Sequence, residues 1–147
     1  RDVAADGGQP DRSAFQIPEI KDVVDHPQRL PRLEVTEADD WPAQLLVTDL
    51  LPAGFEIDNP SLVDSAALAN FDWIGQTETA RLEFRSDRFV AAINRGEGEN
   101  GTITLAYVVR AVTPGTYDLP AASVEDMYRP QLSARTAAGA MTVSTAP

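Results

Sequence analysis

From Ile103 to Ala111 apolar residues recur at every second position, through Leu105, Tyr107 and Val109, and Pro114-Gly115 then cuts the run. A period of two belongs to a β-strand, whose side chains point alternately to its two faces. A Pro-Gly pair forces a turn, because proline presets one φ and glycine accepts a positive φ at the next position. The same pattern repeats downstream. Tyr117 and Leu119 alternate with Thr116 and Asp118, and Pro120 ends that run because it has no N–H to give to a ladder. A further strand, from Ala122 to Met127, leads to a stop at Pro130. Short strands punctuated this closely can only be assembled by antiparallel pairing.

The upstream residues fit the same plan. Leu30, Leu33 and Val35 predict a strand from Arg29 into a turn at 37–40. Trp41-Pro42 opens the next strand, over 43–51, and Phe55 and Ile57 extend it after Pro52 and Gly54. Ala80, Leu82 and Phe84 alternate with Arg81, Glu83 and Arg85, and Ser86-Asp87 turns them into a return strand from Phe89 to Ile93. The loop RGEGENG (95–101) is acidic and no helix follows it, so it reads as a hairpin tip and not as a phosphate cradle. Residues 102–112 form the longest expected strand, and 136–145 close the chain with Met141 and Val143 inward. Alanines between Leu62 and Asn70, after a capping Ser61 or Asp64, predict one helix. Phe71, Trp73 and Ile74 follow it as core plugs. The expected fold is mainly β: an antiparallel β-sandwich with one inserted short α-helix. Residues 1–28, with apolar groups only at Phe15-Ile17 and Val23-Val24, are expected to form a weakly ordered strap or edge strand. The sandwich would occupy 29–147.

Composition removes most chemistries. The chain has 147 residues and no cysteine, which excludes a disulfide, a thiolate metal site and a cysteine nucleophile. A net charge of −11 argues against nucleic acid, since phosphate binding needs massed Lys and Arg. Here Lys21 is the only lysine, and Arg29, Arg32, Arg81, Arg85 and Arg88 are interleaved with apolar residues. The single histidine, His26, has no serine in a nucleophile elbow to serve, so no catalytic residue is assigned and the chain is read as no enzyme. The acids Asp39-Asp40, Asp49, Glu56, Asp58 and Glu125-Asp126 lack the spacing of a calcium loop, and neighbours on a strand face opposite ways. No metal and no cofactor are expected. No apolar run reaches the length of a membrane span, and the first residues do not read as a signal peptide. Starting at Arg1 and not at Met, the chain is expected to be a fragment of something larger or a processed product.

One strand end is furnished unlike the others. Glu125, Asp126, Met127, Tyr128 and Arg129 precede Pro130. Methionine is a deformable filler, and tyrosine carries an apolar body with a polar end. Two uses are open: packing at the sheet edge inside this domain, or a contact surface against another one.

Several segments resemble a known family. LLVTDLLPAGFEIDNP (45–60), FDWIG (71–75), SDRFVAAI (86–93), LAYVVRAVTPGTYDLPAASVEDMYRP (105–130) and RTAAG (135–139) look like the C-terminal macroglobulin-like domain, MG10, of bacterial α2-macroglobulins. The resemblance covers 45–143, and residues 1–36 match more weakly. It implies a macroglobulin or receptor-binding-domain-like sandwich in a protease trap: bait cleavage rearranges the parent, and an internal thioester captures the protease. The thioester Cys and Gln would lie in a separate helical domain, since this chain has no cysteine. The resemblance makes Met127 and Tyr128 the contact that keeps water from the thioester, with Glu125, Asp126 and Arg129 as its polar rim. Implied partners are the thioester domain and neighbouring macroglobulin domains, with proteases trapped through the parent. A periplasmic penicillin-binding protein is a further partner to consider. The implied location is the bacterial periplasm, in an exported, lipid-anchored parent. The receptor-binding lysines that animal relatives carry on their helix have no counterpart in 61–70, so that role is not transferred. The alternative is a free-standing adhesive or carbohydrate-binding β-sandwich, supported only by Trp41, Trp73 and Tyr107, which sit at core-like positions.

Overall fold

A computed structural model describes residues 13–16, 28–29, 31–37, 41–58, 79–99 and 101–144. In chain order the strands are β1 (Ser13–Gln16), β2 (Gln28–Arg29), β3 (Arg32–Glu37), β4 (Ala43–Leu50), β5 (Phe55–Asp58) and β6 (Thr79–Phe84). There follow β7 (Arg88–Arg95), β8 (Gly101–Ala106), β9 (Val108–Ala111), β10 (Gly115–Leu119), β11 (Ser123–Asp126), β12 (Ser133–Arg135) and β13 (Gly139–Val143). Every pairing among them is antiparallel.

One layer runs in the order β12-β11-β4-β7-β6. The facing layer follows two chain paths that break together. β3 pairs with β8, and beyond Pro31 and Tyr107 the same paths resume as β2 with β9. β1 flanks β3, and β5 flanks β9. At the edges of the two layers β1 comes up against β12. The alternation over 102–112 predicts one unbroken strand, but the ladder stops at Tyr107. Its partner there is Pro31, which can accept from the Tyr107 N–H at 3.4 Å but has no N–H to return.

The alternation decides what is buried. On β4 Ala43, Leu45, Val47 and Asp49 face inward while Gln44, Leu46, Thr48 and Leu50 face out. Register with β7 sets Leu45 beside Ile93, Val47 beside Ala91 and Asp49 beside Phe89. Leu33, Val35, Ile103, Leu105 and Val109 of the other layer complete the core. Tyr107 crosses between the layers. Its ring stacks on Phe89 at 4.5 Å and 16°, and its hydroxyl donates to Asp49 Oδ2 at 2.5 Å. A buried carboxylate is costly unless bonded, so this bond ties β4 to the β8–β9 junction. Burial pushes the Asp49 carboxyl up, the Tyr107 hydrogen bond only partly opposing it, and the Tyr107 hydroxyl rises well above its usual range for the same reason.

The β10–β13 ribbon covers one end of the sandwich, and Leu119 and Met141 wall a small cavity there with Phe55, Tyr107 and Val109. The Pro114-Gly115 turn works as expected: Gly115 takes a φ of 153°, which disfavours any side chain. Tyr117 braces the turn by donating to the carbonyls of Thr113 at 3.0 Å and Pro114 at 3.2 Å. Its ring lies flat on Gly54, so close that a Cβ there would come within 2.6 Å of Cζ.

Two strands depart from the expectations. β12 was not anticipated, since Ser133–Arg135 is too short to show a period. Phe55–Asp58 is a strand of the opposite layer from β4, paired with β9, and no extension of β4. The expected helix over 61–70, the plugs Phe71, Trp73 and Ile74, the pair Val23-Val24, and His26 lie outside the described residues.

Two outcomes test this packing. Gly54→Ala should destabilise the chain by ~1–3 kcal/mol, the cost of overpacking, and thermal melts should show that penalty shrinking in a Tyr117→Ala background. Asp49→Asn keeps an acceptor for Tyr107 but cannot ionise. Because the folded state raises the Asp49 pKa, wild-type folding is favoured below the unfolded value of 3.8 and loses that support as pH rises through the folded value. Urea titrations should therefore show the Asn variant gaining on wild type as pH rises above the unfolded value of 3.8; a parallel pH profile would exclude Asp49 as the cause.

Candidate functional site

At the end of the sandwich where β4 begins, the chain leaving β11 makes a tight turn. The Asp126 N–H donates to the Leu132 carbonyl at 3.0 Å, the Arg129 N–H to the Asp126 carbonyl at 3.1 Å, and the Leu132 N–H to the Arg129 carbonyl at 2.8 Å. Inside it, Asp126 Oδ1 accepts from the backbone N–H groups of Tyr128 at 3.0 Å and Arg129 at 3.3 Å. Its Oδ2 accepts from Arg129 Nε at 2.7 Å and Nη2 at 2.6 Å. Arg129 Nη2 also donates to the Pro42 carbonyl at 3.0 Å, and the Met127 N–H to the Gln44 carbonyl at 2.8 Å. The turn is thus pinned to the start of β4 at two points.

The consequence is that two large residues of the turn, Met127 and Tyr128, face outward. Asp126 is 2% exposed, whereas Met127 is 52% and Tyr128 is 76% exposed. Leaving such side chains in water forfeits up to ~3 kcal/mol apiece relative to burying them, so an internal use would have turned them in. The polar residues beside them divide. Glu125 is exposed on the outer face of β11, opposite Leu46 and Ser133, because its neighbours Val124 and Asp126 take the inner face. Asp126 and Arg129, expected together at the rim, are instead bonded to each other inside the turn.

The sequence reading missed Trp41. It shares the parity of Ala43, Leu45 and Val47, which suggests burial, yet it is 70% exposed. β4 begins only at Ala43, and Pro42 interrupts the ladder, so the alternation does not reach back to Trp41. Trp41 is therefore not at a core position, while Tyr107 is buried and Trp73 lies outside the described residues. Trp41 and Tyr107, the two of them that are described, do not share an exposed face.

Elsewhere the arginines of the β6–β7 hairpin gather more than their spacing suggests. Arg81, Arg85 and Arg88 ring a depression of about 340 Å³ floored by Leu46, Thr48, Val90 and Ala92. Each is matched by an acid: Glu83 pairs with Arg85 at 2.8 Å and Arg81 at 3.2 Å, and Asp87 pairs with Arg88 at 2.6 Å. Arg85, by hydrogen bond and charge, holds the Glu83 carboxyl below its usual range. Two acids thus pair with three arginines, Glu83 being shared between two of them, on a solvated face. Among the described residues no group of three or more His, Cys, Asp or Glu could hold a metal, and no helix is long and apolar enough to cross a membrane.

Comparison with known proteins identifies the sandwich. Residues 28–131 match the family model of the bacterial alpha-2-macroglobulin MG10 domain. The alpha-2-macroglobulin of Xylella fastidiosa (strain 9a5c) is 48% identical over 109 residues, which is 69% of this chain and 6% of the relative. Among solved structures, Salmonella alpha-2-macroglobulin reacted with methylamine aligns at 40% identity and a TM-score of 0.66, over 80% of this chain and 8% of that one. Trypsin-activated alpha-2-macroglobulin from Escherichia coli aligns at 37% identity and a TM-score of 0.69, over 80% of this chain and 9% of that one. The chain spans only a small fraction of the relatives it matches. With a matching family model over most of its length and the same antiparallel fold, the chain belongs to the bacterial alpha-2-macroglobulin MG10 domain family.

Proposed function

We propose that this chain is a non-catalytic module of a bacterial protease trap, and that its Met127–Tyr128 tip packs on the thioester domain of the parent and keeps water from the thioester until the bait is cut. The observation that carries this reading is the turn itself. A carboxylate and a guanidinium are spent on it, and the result is a bonded backbone that presents two large side chains outward. Groups presented this way are contact anchors, with little ordering left to do on binding.

The relatives supply the chemistry. The Salmonella protein reacts with methylamine, and the Escherichia coli protein is activated by trypsin. Amine reactivity suits a thioester: the amine nitrogen attacks the acyl carbon, the C–S bond breaks, and the thiolate leaves and takes up a proton. Water can do the same more slowly, so an unspent thioester needs a dry cover. This chain has no cysteine to form that bond. Its contribution would be exclusion of solvent, with Met127 conforming to the partner surface and Tyr128 adding a broad face.

In the full-length parent, Met127→Asp and Tyr128→Ala should each speed spontaneous thioester loss by about tenfold, the equivalent of ~1.4 kcal/mol of barrier. The readout is free thiol appearing before protease is added, with Val112→Ala at the far end as the neutral control. An unchanged rate in a folded variant would sink the shielding role. Asp126→Asn should act on the same rate indirectly. Losing a charged acceptor costs ~2 kcal/mol of turn stability, so thiol release should rise and proteolysis within 126–132 should accelerate with it.

A further inference from the structure

The strand order places Trp41 in the middle of the end that carries the tip. β4 lies between β11 and β7. The residues just before β4 are therefore flanked on one side by the Asp126–Leu132 turn and on the other by the loop from β7 to β8. Both flanks are attached: Arg129 Nη2 holds the Pro42 carbonyl at 3.0 Å, and Ala43 pairs with Arg95. The loop is itself organised, with Arg95 Nε donating to the Glu99 carbonyl at 2.7 Å and the Gly96 N–H to Glu99 Oε2 at 2.6 Å. It leaves Glu97 and Glu99 exposed.

We infer that Trp41 is the central anchor of one contact surface, flanked by Met127–Tyr128 on one side and by Glu97 and Glu99 on the other. Its occupant is a neighbouring domain of the same parent chain that offers an apolar pocket with a basic border. This rests on the shielding reading and extends it to a residue and a loop on which that reading does not depend. Three of the five large apolar side chains exposed among the described residues, Trp41, Met127 and Tyr128, stand at this one end. An exposed indole next to a backbone anchored at Pro42 and Ala43 is of the residue type that most often dominates a contact, contributing about 150–250 Å² of burial. The acidic flank selects the partner's charge, because like charges facing across a contact are repulsive. The size of the relatives makes a domain of the same chain the fitting occupant: the matched region is 6% of the Xylella protein, so most of such a parent lies elsewhere.

The test is photo-crosslinking in the full-length parent, with p-benzoylphenylalanine placed singly at Trp41, at Tyr128 and at Val112 and the captured peptides identified by mass spectrometry. Positions 41 and 128 should capture peptides of one and the same domain outside residues 1–147, in a segment flanked by Lys or Arg, at yields at least about fivefold above position 112. If position 128 captures that domain while 41 captures nothing or only peptides within 1–147, the Trp41 surface is overturned and the tip reading survives. If neither position reaches beyond 1–147, both are overturned. Capture of different domains by the two positions, of a second copy of the parent, or of a segment without basic residues also overturns the single surface described here.

Discussion

Tyr107 joins the two layers, and much of the rest of the sandwich follows from that. Its ring stacks on Phe89 of β7 and its hydroxyl is bonded to Asp49 of β4, although it belongs to the opposite layer. Beside it Pro31 breaks the β2–β3 path, and the Pro31 carbonyl accepts from the Tyr107 N–H at 3.4 Å. Dispersion and area burial would hold two sheets together at many sliding offsets. A single buried hydrogen bond that must be satisfied selects one of them. Within its own layer β4 is central, with β11 and β7 bonded along its two edges.

β4 then acts at both of its ends. At its C-terminal end the chain passes through Pro52 and Gly54, where Tyr117 closes down and fixes the β10–β13 ribbon. At its N-terminal end Gln44 and Pro42 offer carbonyls to the turn that leaves β11. The backbone of the tip is therefore an extension of the β4–β11 ladder by one backbone bond and one arginine.

The division of labour inside the tip comes from strand geometry. Glu125 and Asp126 are adjacent, so they must face opposite sides of β11. The inner position has no water, and Asp126 is tolerable there only because four donors converge on its carboxylate. Arg129 is drawn to that carboxylate with its side chain still 31% exposed, and Glu125 with Glu97 and Glu99 of the β7–β8 loop are exposed at the same end.

Much of the fold was legible in the order of residues. The alternation over 102–112 named Ile103, Leu105, Tyr107 and Val109 as one face, and all four are buried; Pro114-Gly115 marked where that run breaks, because both are local properties of a chain whose side chains alternate. The exposure of Met127 and Tyr128 was half legible, as an odd composition with two possible uses. What local pattern could not contain was pairing. Trp41 has the parity of a core residue, and it is exposed only because the ladder on β4 begins two residues later. Asp49 looks like one more solvated acid until Tyr107 arrives from the other layer. Asp126 looks like a rim residue until Arg129 folds back on it. By itself the sequence determined which faces are apolar and where the chain must turn, since those depend on neighbours along the chain. Which polar groups could be buried, and which apolar ones were left outside, was decided only by tertiary structure, because a buried charge needs a partner and that partner is brought by the fold.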